Sequence, residues 1–194
     1  MPDPDPGHQF LLAEFESLSQ TTIARNEKLD RYVTIFVTLA GAPAGAYALL
    51  AKPAPAGFHP LSPPVGAVAL LVGFLGLLLA LIVAQVRFNI ILYVRATNAI
   101  RGHFAAKGVA DALLLPTRPD VPPYYERLKH TQFMITAMGL VNGCYVGLGF
   151  HALARRIDLA VVAGVVFLAV HLFVYWWMAR ERDAKDKGPG RLRF

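Results

Sequence analysis

Four stretches of the chain, residues 32–51, 65–86, 133–154 and 159–179, are almost wholly apolar and contain no Asp, Glu, Lys or Arg. Each is about 20 residues long, the length a helix needs to cross a hydrocarbon layer of about 30 Å. A helix on the surface of a soluble core is apolar along one stripe only. These four are apolar all round, and they predict an all-α fold: a polytopic four-helix transmembrane bundle.

Two amphipathic segments adjoin the first two spans. Residues 9–30 contain no Pro or Gly, and Leu11, Phe15, Leu18, Thr22, Arg25 and Leu29 recur at spacings 4-3-4-3-4. Beyond Arg87 the chain has no breaker until Gly102, and Ile90, Tyr93, Thr97, Ile100 and Phe104 recur at 3-4-3-4. Each set is one helical face with a heptad-like period. Arg31 and Arg87, taken as the membrane boundary, put Leu29 level with Ile90, Leu18 with Ile100 and Phe15 with Phe104. The pattern predicts that residues 9–104 form one long hairpin whose cytoplasmic stalk extends on the order of 25 Å. The competing arrangement lays the N-terminal helix flat on the membrane, but Glu14, Glu16 and Glu27 on its polar face suit anionic lipid poorly.

Charge sets the orientation. Of 19 Lys and Arg, only Lys52, Arg155 and Arg156 fall on one side of the predicted membrane; the other 16 lie in the N-terminal segment, the central loop and the C-terminal tail. Basic flanks stay cytoplasmic, so both termini and the central loop are expected there. The net charge of +6 is thus a topology signal and does not point to nucleic acid. Charged residues are 16% of the chain, against about 25% in soluble domains. The opening MPDPDPGHQF lacks the basic start and apolar core of a signal peptide, and residues 1–8 are expected to be disordered. Cys144, the one cysteine, sits in an apolar run as a small hydrophobe.

The connections differ in kind. The outer loops are a proline-rich cap over 52–64 and a short link at 155–158. The central loop, 105–132, is rich in proline, and its Pro122-Pro123-Tyr124-Tyr125 matches the short PPxY peptide bound by WW domains. The match is short and common by chance, and the expected reading is a proline turn whose tyrosines pack at the headgroup level before the third span. The second hairpin spans 133–180, and a basic tail follows over 181–194. The cytoplasmic face is the larger one exposed to partners.

Gly139, Gly143 and Gly147 recur at every fourth position, a doubled GxxxG that lets another helix approach closely. The spacing leaves open whether that partner is the fourth span or a second subunit. Gly41 and Gly45 give the first span a similar small face, with a kink expected at Pro43. On the fourth span Ala160, Gly164, His171 and Tyr175 share a face. Asn142 and His171 lie at equal depth from the inner ends of antiparallel spans, so a hydrogen bond between them, direct or through water, is expected; a titrating His171 in a proton path is the alternative. Tyr175, Trp176 and Trp177 read as an interfacial aromatic belt.

The chain carries no phosphate-binding loop, dinucleotide fingerprint or nucleophile elbow, and its six histidines are scattered. No metal, cofactor or enzymatic activity is expected. Ion-coupled carriers place ionised groups inside the bilayer, and the four runs have none. The segments RNEKLDRY entering the first span and LYVRATNAIRGHF leaving the second resemble small bacterial conflict-system membrane proteins, the SLATT-type and four-transmembrane antiphage effectors. The resemblance covers about half the chain, and the second hairpin departs from the two-span SLATT pattern. It implies an effector or sensor acting at the bacterial inner membrane. The residues support three functions. In the first, the chain forms a homo-oligomer that couples a cytoplasmic protein partner or signal to the lipid bilayer. In the second, it is a channel or carrier lined by Asn142, Tyr145, His171 and Tyr175. In the third, it is an assembly subunit without membrane activity.

Overall fold

The structure, a computed structural model, describes residues 6–50, 62–106 and 130–186, with side chains over 6–43, 62–104 and 131–185. These residues form four helices: α1 (Pro6–Leu50), α2 (Pro63–Ala106), α3 (His130–Ala154) and α4 (Ile157–Asp186). There is no strand among the described residues, and the fold is all-α. Three helices are long and apolar enough to cross a membrane: α2 over Pro63–Phe104, α3 over Thr131–Ala154 and α4 over Ile157–Lys185. The run predicted as the first span is helical to Leu50, but its side chains are described only to residue 43.

Local sequence explains the boundaries. Pro6 and Pro63 each open a helix, where a missing N–H and a fixed φ are tolerated. The first helix therefore starts at Pro6, inside the stretch expected to be disordered. Pro43 does not interrupt α1. At the end of α3, Arg155 adopts φ 54° and its N–H donates to the His151 carbonyl at 2.8 Å. This left-handed cap turns the chain within two residues, and α4 begins at Ile157. α4 then continues to Asp186, so the tail expected from 181 is helical in its first part. Residues 52–61 of the proline-rich outer cap, the PPxY motif and residues 187–194 lie outside the described residues, while Pro63 and Pro64, expected in that cap, begin α2.

Each helix packs on its neighbour in the chain, with a lighter contact between α2 and α4. Phe36, Ala80, Val83, Phe88, Ile135 and Tyr175 meet in one core cluster to which all four helices contribute. The outer surface is also apolar: Val161, Val165 and Val166 on α4 are 58%, 60% and 54% exposed. Apolar side chains on both faces fit a lipid surround, which needs no polar exterior.

Candidate functional site

Two seams of small residues hold α3. On one side Gly139, Gly143 and Gly147 face α4 within the same chain. A Cβ on Gly143 would lie 2.8 Å from the Gly164 carbonyl oxygen, and one on Gly147 would lie 3.0 Å from that of Ala160. The obstacles are backbone atoms, which cannot swing aside. Ala160, His171, Tyr175 and Ala179 are buried along the same face of α4.

The second seam, between α2 and α3, escaped the sequence reading. Gly66, Ala69, Gly73, Gly76 and Ala80 recur at 3-4-3-4 along α2. A Cβ on Gly73 would meet Val146 at 2.7 Å, and one on Gly149 would meet Leu70 at 2.5 Å. The signal was present: small residues with a heptad period, diluted by the leucines that surround them.

Asn142 and His171 make no direct hydrogen bond to each other. Asn142 is 0% exposed and faces α2, where a Cβ on Gly76 would lie 2.7 Å from its Cγ. Neither Oδ1 nor Nδ2 of Asn142 has a hydrogen-bond partner. His171, 2% exposed, packs instead on Gly139, whose Cβ would lie 3.0 Å from its ring. Its Nδ1 has no hydrogen-bond partner. Equal depth fixed the level of the two side chains and left their direction open. Asn142 is three residues past Gly139, about 60° short of a full turn, and that offset carries it to the other seam.

Tyr145 ties α3 to α1 by donating its hydroxyl to the Ala40 carbonyl. The carbonyl that Pro43 leaves without a helical donor is that of Leu39, so the Tyr145 bond falls one residue from it in the same turn. Tyr175 points inward, stacked on Phe88 with ring centroids 5.9 Å apart. It is therefore not part of the aromatic belt. Trp176 and Trp177 are on the outer face, with the Arg180 guanidinium 5.1 Å from the Trp176 ring. Around Gly41 nothing lies within 4 Å, and the surroundings of Gly45 lie outside the described side chains. Cys144 is exposed beside the α3–α4 seam.

α1 packs along α2. The His8 ring stands edge-on to Phe104 at 4.9 Å, and Arg101 lies 5.3 Å over the Phe15 ring. Phe104 is thus edge-on to His8, and Phe15 lies under Arg101, about one turn of α2 away. Leu18 and Ile100 line a common groove, Ile90 is buried, and Leu29 packs on the core cluster. The polar interruptions of the stripe are satisfied locally: Thr22 and Thr97 donate to the carbonyls of Leu18 and Tyr93, each at 2.8 Å.

The chain matches no family model, no curated protein and no solved structure. Among the described residues, no three of His, Cys, Asp and Glu come together as a metal site would require.

One long-range ion pair joins the helices that carry the charge. Arg95 on α2 meets Asp183 on α4 at 3.2 Å, with side chains 15% and 26% exposed. The 88-residue separation hid it from the sequence. Beside it the Arg182 guanidinium lies 5.2 Å from the Phe88 ring. A double-mutant cycle of Arg95→Ala and Asp183→Ala should give a coupling of about 0.5–1 kcal/mol that shrinks as salt rises. Zero coupling at low salt would mean that the two helices are not joined there.

Proposed function

We propose that the chain is a non-enzymatic, four-span protein of the bacterial inner membrane that self-associates and couples a cytoplasmic partner or signal to the bilayer. Both termini, the stalk and the central loop face the cytoplasm in this reading, as the 16-to-3 partition of basic residues favours. The observation that carries the reading is the length of α2. Its 44 residues span about 66 Å, roughly twice the hydrocarbon thickness, and α1 runs beside it. A helix pair that long joins the membrane to something outside it. The resemblance of the stalk segments to conflict-system proteins suggests a membrane-perturbing defence effector or sensor as the biological setting.

The channel reading has less support. Asn142, Tyr145, His171 and Tyr175, its lining candidates, each point into a contact between helices of one chain. A pure assembly subunit fits the same contacts, but gives no reason for the stalk. The test is affinity purification from the native host in mild detergent, with light scattering and mass spectrometry of the eluate. The expected particle holds more than one copy of the chain and a stoichiometric soluble protein that leaves when the central loop is replaced by a Gly-Ser linker. A lone monomer would overturn the proposal. A lone oligomer that passes ions in liposomes would favour the channel.

A further inference from the structure

The backbone contact of Gly143 with Gly164 leaves a groove beside it, because no side chain fills the valley where two helices touch through glycine. Its floor is Gly143, Gly147, Ala160 and Gly164, its walls include the exposed Leu148 and Val161, and its volume is about 510 Å³. The α3 residues that meet α2, among them Asn142, Val146 and Gly149, take no part in it. α3 and α4 are both long and apolar enough to cross a membrane, so the bilayer is what this apolar face meets.

The length of the groove identifies the kind of occupant. Its lining runs along α3 from His151 to Leu140 and along α4 from Ile157 to Leu168. Each stretch rises about 16 Å at 1.5 Å per residue. That is half of a hydrocarbon thickness of about 30 Å. The groove therefore starts at the α3–α4 turn and ends near the bilayer midplane, the depth of one leaflet. Another helix packed there would follow the whole span, whereas a fatty-acyl chain ends where the groove ends.

The charge at the mouth identifies the headgroup. Arg155 and Arg156 form the turn between α3 and α4, next to Ile157 at the end of the groove. Arg156 is held by Asp158, while Arg155 is exposed and has no ion-pair partner among the described residues. The turn thus keeps an uncompensated positive charge. Basic residues are sparse on this side of the predicted membrane: of 19 Lys and Arg, Arg155 and Arg156 are two of the three assigned there. A guanidinium at the mouth of a leaflet-deep apolar groove complements a phosphate.

We infer that the α3–α4 groove binds an anionic phospholipid, with one acyl chain on the glycine floor and the phosphate at Arg155. The inference needs α3 and α4 in a bilayer and nothing of the stalk, of a partner or of self-association, so its failure leaves the proposed function standing.

The test places the full-length chain in nanodiscs of equal parts phosphatidylglycerol and phosphatidylcholine, and reads retained lipid by native mass spectrometry after release into mild detergent. One lipid per chain is expected to persist, phosphatidylglycerol several-fold over phosphatidylcholine. Arg155→Gln should abolish most of that preference, and Arg155→Lys should keep most of it. Val161→Trp, which fills the groove from an exposed wall position, should lower retention of both lipids several-fold. Arg180→Gln, near the other end of α4, should leave the preference unchanged. Equal retention of the two lipids, or a preference lost with Arg180→Gln and kept with Arg155→Gln, would contradict the inference. So would a Cys144–Cys144 disulfide formed in high yield in native membranes, since Cys144 lines the groove and the link would put a second chain in the place of lipid.

Discussion

Gly143→Leu is expected to unseat α4 from α3 and to lower the stability of the bundle by about 3 kcal/mol, at the upper end for forced overpacking. Already a Cβ at 143 would stand 2.8 Å from the Gly164 carbonyl oxygen, and Gly164 sees Gly143 in the same way. Two backbones touching at mutual glycines can admit a side chain only by moving apart, which also loosens Gly147 from Ala160 and Gly139 from His171. Gly41→Leu is the informative companion, because nothing lies within 4 Å of Gly41. It should change the stability of one chain by no more than about 0.5 kcal/mol. Denaturation in mixed micelles, followed by the emission of Trp176 and Trp177 on α4, measures both. Equal losses at 143 and 41 would place the α3–α4 contact elsewhere.

The second large effect concerns Asn142 and Gly76. Gly76→Ala should cost about 2 kcal/mol, because the added methyl would coincide with the Asn142 amide, 2.7 Å from its Cγ. Asn142→Ala should be nearly neutral. It removes two buried polar atoms that have no partner, worth about 1–3 kcal/mol, and leaves a cavity of opposing cost. In the double variant the methyl added at position 76 occupies space the amide has left. The double should therefore lose at least about 1 kcal/mol less than the two singles added together. Additive losses would mean that the two residues do not touch.

What could be read from the sequence was whatever one helix displays by itself. Charge-free runs mark α2, α3 and α4 because hydrocarbon tolerates no ionised group without compensation. The 139–143–147 glycine spacing marked a packing face, and the structure supplies its partner, α4 of the same chain. Direction around the axis was harder. Asn142 and His171 share a level, yet a three-residue offset from Gly139 turns them into different seams. The contact of His8 with Phe104 was not read, because His8 fell in the stretch expected to be disordered. The Arg95–Asp183 pair was out of reach because it depends on how α4 extends beyond the apolar run and leans on α2. The α2 small-residue stripe was in plain view, but leucine-rich surroundings masked its heptad period.

A four-span chain with its stalk and tail on the cytoplasmic side requires α1 to cross the bilayer. Thiol labelling of single substitutions in a Cys144→Ser background examines that crossing, using Ser17→Cys, Ser62→Cys and Lys187→Cys in intact cells and in inverted vesicles. Ser62→Cys is expected to label from outside in intact cells, while Ser17→Cys and Lys187→Cys label only in inverted vesicles. Labelling of Ser17→Cys and Ser62→Cys from the same side would show that α1 does not cross the membrane, and the four-span arrangement would fall.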